Sequence, residues 1–259
     1  MHGIHPKYCR LNFYKYFIFL LTIFSFSFAE KNFCQENKNL NNTLKGIDVS
    51  HHQGIILWDS VLTENISFAI VKATEGFTFK DTLFAKNWEE LKRVGIKRGA
   101  YHFFRGNSDP KKQAQNFIET VKLDSGDIVP ILDIEKLDRQ SVPNLVKKAK
   151  IWLNEIENEY KVKPMIYAGQ FFYNKYLAFY FKGYPLWIAE FTRGKPVLRD
   201  KQKYYIWQHS ELGIIKGIKG RTDLNRFYGD IQSLEKFVQN SSHFRLCLTF
   251  HLNFFSPIV

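Results

Sequence analysis

Eight short apolar runs, several separated by helix-length amphipathic stretches, constrain this chain more than any other feature of it. The runs lie near 46–49, 67–73, 98–104, 128–135, 163–168, 185–190, 204–209 and 218–223, and each has the length of a buried strand. Between them, residues 83–94 place Phe84, Trp88, Leu91 and Val94 on one face, and Gly95 follows as a stop. Asp109 and Pro110 form a cap and first-turn proline ahead of a stripe of Ala114, Phe117, Ile118 and Val121. Residues 141–160 carry Leu145, Val146, Ala149, Trp152, Leu153 and Ile156 at helical spacing, and a last helix is expected near 230–239. Strands alternating with helices imply right-handed βαβ units and a parallel sheet. The connections between 185 and 223 are too short for full helices. The expected fold is an α/β, TIM-like barrel of eight strands, irregular in its last third where helices are missing, and 259 residues suit that as one domain.

Barrel enzymes place their chemistry at the C-terminal ends of the strands. Here those ends carry Asp48; Lys72, Thr74 and Glu75; His102; Asp133 and Glu135; Tyr167; Glu190; Gln208; and Asp223 with Asn225 beyond it. Ionised groups are costly to bury unless paired or functional, so apolar strands that repeatedly finish in carboxylates suggest a shared acidic cleft. The fourth run, Ile128-Val129-Pro130-Ile131-Leu132-Asp133-Ile134-Glu135, is the most informative. Alternation puts Val129, Ile131, Asp133 and Glu135 on one face, and Leu132 and Ile134 towards the helices. The two carboxylates then project into one cleft from backbone positions roughly 6–7 Å apart. Glycoside hydrolysis needs such a pair: one group to protonate the leaving oxygen, the other to stabilise the anomeric centre or orient what attacks it. A pair binding a cation or a basic neighbour has the same pattern. Adjacent His51 and His52 would point apart on a strand and read as cleft-lining or surface residues. His102 reads as a satisfied core histidine. Trp187 and Trp207 suit either sugar stacking or core packing. Nothing has metal-ligand or phosphate-loop spacing, so neither a metal nor a cofactor is expected.

Residues 1–29 read as a targeting segment. Lys7, Arg10 and Lys15 make a basic start, Tyr16 to Phe28 is an apolar run, and Ser27 and Ala29 precede a cleavage position before Glu30. Cleavage removes three positive charges and no negative ones, lowering the net charge from +12 to +9. A basic exported monomer with no stable membrane span suits an anionic partner such as a bacterial wall, and no basic run with interleaved aromatics argues for nucleic acid. Residues 30–44 read as a flexible leader, 45–239 as the catalytic domain, and 240–259 as an apolar, aromatic tail without period. Cys34 and Cys247 remain after cleavage, and outside the cytosol they either pair or stay apart. Asn41-Asn42-Thr43, Asn65-Ile66-Ser67 and Asn240-Ser241-Ser242 are glycosylation acceptors only in a eukaryote.

Six segments in order then resemble the glycoside hydrolase family 25 lysozymes of the Chalaropsis type: Lys45-Gly46-Ile47-Asp48-Val49-Ser50-His51-His52-Gln53-Gly54, Val71-Lys72-Ala73-Thr74-Glu75-Gly76, Gly99-Ala100-Tyr101-His102-Phe103-Phe104-Arg105, Pro130-Ile131-Leu132-Asp133-Ile134-Glu135, Ile206-Trp207-Gln208-His209-Ser210 and Thr222-Asp223-Leu224-Asn225. The resemblance covers about 45–238. It implies a flattened barrel, cleavage of the β-1,4 bond between N-acetylmuramic acid and N-acetylglucosamine of peptidoglycan, and a secreted protein. It also implies Glu135 as general acid/base, Asp133 as its partner, and Asp48 and Asp223 as the other cleft acids. Glu75, Tyr101, Tyr167, Trp187, Gln208 and Asn225 would contact substrate. In the expected mechanism the sugar's own 2-acetamido oxygen attacks, with Asp133 polarising the acetamide and configuration retained. Phe191 in Ala189-Glu190-Phe191 departs from the pattern, which expects an aromatic hydroxyl there. A related chitinase would need D-x-x-D-x-D-x-E on the fourth strand, but Ile128 and Ile131 occupy its two earlier positions. A catalytically silent glycan binder on the same fold would be expected to have lost a cleft acid, and all four are present.

Overall fold

A computed structural model describes residues 43–192 and 194–238. The expectations for the targeting segment, for leader residues 30–42, for Cys34, Cys247, Asn41 and Asn240, and for the tail 240–259 lie outside the described residues.

Nine strands form one sheet: β1 (Thr43–Val49), β2 (Phe68–Glu75), β3 (Phe79–Lys80), β4 (Lys97–Phe103), β5 (Ile131–Asp133), β6 (Met165–Gly169), β7 (Leu186–Ala189), β8 (Ile206–Gly213) and β9 (Thr222–Tyr228). Their order is β1-β9-β8-β7-β6-β5-β4-β2-β3, and a parallel β1–β2 pairing closes the first eight into a barrel, with β3 an appendage on β2. The barrel is mixed: β8 and β9 pair antiparallel. This corrects the all-parallel expectation and moves the last strand from 218–223 to 222–228. The physical reason is the short β8–β9 link, which can turn a hairpin but cannot make a parallel crossover. β1 also begins two residues inside the segment read as leader.

The helices between strands follow their local signals. α1 (Trp58–Leu62) is short. α2 (Phe84–Val94) ends where Gly95, at φ 75°, takes the left-handed cap and donates back to Leu91 and Lys92. α3 (Pro110–Thr120) starts under Asp109, whose carboxylate accepts from the Lys112 amide at 2.9 Å. α4 (Val142–Tyr160) is capped by Ser141 and buries Leu145, Val146, Ala149, Trp152, Leu153 and Ile156. After β6, a helical turn at Gln170–Phe172 runs into a π-turn at Tyr173–Leu177. The helix expected at 230–239 is a short turn at Ile231–Leu234 followed by a 3-10 turn at Glu235–Phe237. Val238 there bridges to Ile128, and the Val129 amide donates to Phe237. That pairing, with Pro130 lacking a donor, shortens the fourth run from 128–135 to the three residues of β5.

Alternation along the strands separates two cores. The outward layer, including Leu132, Ile134, Ala69, Val71 and Ala73, packs on the helices around Trp152 and Phe117. The inward layer fills the barrel with Phe68, Ile70, Ile131, Met165, Ile206 and Phe227. Each fully buried side chain of this size contributes about 1.5–3 kcal/mol. Gly46 makes room for one of them. A Cβ there would sit 2.2–2.5 Å from the Phe68 ring of the neighbouring strand. Gly46→Ala is therefore expected to lower stability by about 1–3 kcal/mol. Urea unfolding checks this, as a reduced midpoint with an unchanged slope; an unchanged midpoint would show that the Phe68 ring moves freely.

Candidate active site

The inward alternation that packs the barrel continues to its C-terminal mouth, where it turns polar. There a cleft of about 270 Å³ is lined by Asp48, Lys72, Tyr101, Phe103, Asp133, Glu135, Tyr167, Trp187, Phe191, Gln208, Glu211 and Asp223. Strand register explains the assembly. Phe103 pairs with Asp133, Asp133 with Tyr167 and Tyr167 with Trp187, while Lys72 pairs with Tyr101 on the next pair of strands. Glu135 lies two residues beyond Asp133, just past the end of β5, where the Ile134 amide still donates to Tyr167.

Asp48 is the most tied-down acid. Its Oδ2 accepts from Gln208 Nε2 at 2.8 Å and from Asn225 Nδ2 at 2.7 Å. Burial first, and then the charge of Asp223, push the Asp48 carboxyl well above the usual carboxylate range. Asp223 is raised too, chiefly by burial, but a hydrogen bond from Asp48 holds it down. The pair therefore shares a proton that resides on Asp48. Gln208 extends this network: its Oε1 accepts from the Tyr167 hydroxyl at 2.8 Å. Trp187 Nε1 donates to Asn225 Oδ1 at 2.8 Å, and its ring centroid lies 4.4 Å from that of Tyr167.

Asp133 has the opposite character. It is 5% exposed, and its Oδ1 is buried with no hydrogen-bond partner. Burial and then the neighbouring Glu135 charge raise it well above the ordinary range, while Lys72 opposes the rise. The Glu135 carboxyl is raised mainly by burial and lowered by a hydrogen bond with Tyr167. Tyr167 has one hydroxyl proton, committed to Gln208, so it meets Glu135 as an acceptor of a protonated carboxyl. The arrangement combines a proton-bearing glutamate, an aspartate with an unfilled acceptor, and a network that orients both.

Not every strand-end polar residue reaches this cleft. Glu75 lies in an adjoining hollow, bound to Lys72 at 2.6 Å and to Arg105 at 3.5 Å. Glu190 accepts from Gln170 at 2.9 Å and from the Thr192 amide and hydroxyl, and does not line the cleft. Asn225 is 1% exposed and braces Asp48. Trp207 is half-buried outside the cleft lining, its indole nitrogen donating to the Glu190 carbonyl at 2.8 Å. His51 and His52 sit on a 3-10 turn, not a strand, so their rings come together at 4.1 Å, and His51 Nδ1 meets Asp81 at 2.7 Å. This corrects the expectation that they diverge. His102 is the buried core histidine expected, held by Thr74 and Gln113 and pushed down to about 3 by burial. Among the described residues no cluster of three or more His, Cys, Asp or Glu could hold a metal ion.

Lys72, Phe103 and Glu211 line the cleft without having stood out as candidates. Lys72 and Phe103 were findable: each follows the inward register two residues after an inward residue, Ile70 and Tyr101. Glu211 was not, because the hairpin that carries it was misplaced.

Comparison with known proteins agrees with this geometry. The sequence model for "Glycosyl hydrolases family 25" matches residues 47–218. Protein YegX of Escherichia coli K12 is 38% identical over 201 residues, covering 76% of this chain and 74% of its own. The autolytic lysozyme of Clostridium acetobutylicum is 31% identical, covering 71% of this chain and 56% of its own. A family 25 glycosyl hydrolase structure from Bacillus anthracis superposes with a TM-score of 0.72 at 32% identity, covering 76% of this chain and 94% of that one. A lysozyme structure from Streptomyces coelicolor gives 0.70 at 30% identity, with 77% and 98% covered. The barrel, its acidic mouth and these matches agree: the chain belongs to glycosyl hydrolase family 25 and is a glycoside hydrolase.

Proposed function

We propose that the chain is an exported muramidase that hydrolyses the β-1,4 bond between N-acetylmuramic acid and N-acetylglucosamine in bacterial peptidoglycan. The relatives named lysozymes support the substrate class. The observation that carries the mechanism is the unpartnered, buried Oδ1 of Asp133. An unfilled acceptor in a cleft calls for a donor from outside, and the acetamide N–H of an N-acetylated sugar is one.

In this reading, Glu135 protonates the glycosidic oxygen as that bond breaks. The acetamide oxygen attacks the anomeric carbon, while Asp133 accepts the amide proton's hydrogen bond and stabilises the positive charge that develops. Glu135, now ionised, then takes a proton from water, which opens the cyclic intermediate with net retention of configuration. Both acids are raised in the free cleft. The sugar N–H at Asp133 favours that group's charged form, as does Lys72, leaving the proton on Glu135 where it is needed. Asp48, Asp223, Gln208 and Asn225 hold the cleft in shape, and Tyr101, Tyr167 and Trp187 line the sugar path.

Glu135→Gln preserves shape and removes the proton, so clearing of a bacterial wall suspension is expected to fall by about 10²–10⁴-fold. The wild-type rate should decline as pH rises through the raised Glu135 value, above the ordinary glutamate range. The first-formed anomer seen by NMR should be the retained one. A folded wild type that binds walls without clearing them would sink the assignment and favour a silent glycan binder.

Asp133 carries a stability consequence with a definite sign. Its value is raised in the folded state, so the folded protein holds that proton more tightly than the unfolded chain, and stability is lost as pH rises through the folded value. Asp133→Asn removes this loss. Its melting temperature is expected to exceed that of wild type at pH 7, with the difference vanishing in acid below the ordinary aspartate range, while activity drops. An Asn variant less stable than wild type at pH 7 would show that the carboxylate is satisfied in the free protein.

Export rests on residues 1–29. Protein recovered from the medium of expressing cells should begin at Glu30 by N-terminal sequencing; retention of Met1 would overturn cleavage.

A further inference from the structure

At the end of the barrel opposite the cleft, the residues that lead into β6, β7 and β8 enclose a second cavity of about 490 Å³. The cleft residues end these strands and the cavity residues precede them, and β6, β7 and β8 are parallel, so the two sites occupy opposite poles. Four lysines converge on the cavity: Lys161 and Lys163 between α4 and β6, Lys203 before β8, and Lys236 from the 3-10 turn after β9. No carboxylate lines it among the described residues. Glu157 accepts from the Tyr184 hydroxyl without lining the cavity itself.

Aromatic rings share the wall. Lys163 Nζ lies 4.9 Å from the centre of the Tyr184 ring, and Lys203 Nζ 4.9 Å from that of Tyr205. Phe237 packs on Tyr205 at 4.5 Å. These contacts hold two ammonium groups against flat apolar surface at the edge of an empty volume. Four cations gathered without a facing acid repel one another, and an anion entering between them relieves that repulsion. Their spread over three separate chain segments suits several negative charges in series better than one small ion. The rings between them suit the uncharged carbon of a polyol or sugar.

We propose that this cavity binds a phosphodiester-linked polyol chain of the bacterial wall, with Lys161, Lys163, Lys203 and Lys236 on the phosphates and Tyr184, Tyr205 and Phe237 against the polyol. Its place in the wall rests on the muramidase reading; the cavity's affinity for the polymer does not. Bound there, the enzyme holds a polymer it does not cut, leaving the cleft at the other pole free for glycan.

The test is a calorimetric titration of the full chain with poly(glycerol phosphate), at low and at raised salt, beside Lys163→Gln/Lys203→Gln and Lys161→Gln/Lys236→Gln. Wild type should bind, more weakly at raised salt, and each double variant should bind about tenfold or more weakly. Hydrolysis of soluble wall glycan free of the polymer should be unchanged in both variants, which also shows that they fold. No binding by wild type, or equal binding by both variants, overturns the proposal. So does tighter, lysine-dependent binding to phosphatidylglycerol vesicles, which would make the site a membrane contact. Binding is read without hydrolysis, so its failure and that of the muramidase reading are separable.

Discussion

The buried carboxyl of Asp48 ties the structure together. It stands at the end of the first strand, and its two strongest partners, Gln208 and Asn225, come from the hairpin that ends the barrel. The Thr222 hydroxyl adds a bond to the Asp48 carbonyl. One acid thus joins the first and last parts of the barrel wall and fixes one side of the cleft. Its proton, shared with Asp223, lets two acids lie together without two full negative charges. Through Gln208 and Tyr167 the same group bears on Glu135 and its orientation.

Much of this was legible because a strand's period of two is strict. Ile131, Asp133 and Glu135 could be assigned to one face before any coordinates, with Leu132 and Ile134 on the other, and the two cores divide along that line. The helices were legible from their ends: Gly95, the Asp109–Pro110 pair and Ser141 each act as read. What the sequence concealed is long-range. Nothing local to 206–228 tells a hairpin from another parallel strand, and the pairing of Val129 with Phe237 depends on residues over a hundred positions apart.

The site divides in the same way. Inward residues on regular strands could be placed, and the same rule applied to β2 and β4 reaches Lys72 and Phe103. Residues past a strand end escape the period. Glu75 follows an irregularity after Lys72, where the register shifts. Glu190 is drawn aside by Gln170 and Thr192. The bracing role of Asn225 depends on the depth of its side chain in the fold, which no periodicity reports.

The hairpin that closes the barrel also sets when the molecule can act. Asp48 and Gln208 are 160 positions apart, and Asp48 and Asn225 are 177 apart. Contacts that distant form slowly and only after the intervening chain has been ordered. A chain emerging N-terminus first carries Asp133 and Glu135 long before Gln208, Asp223 and Asn225 exist to complete their surroundings. The cleft therefore matures last, and a hydrolase directed at walls stays idle while it is being made.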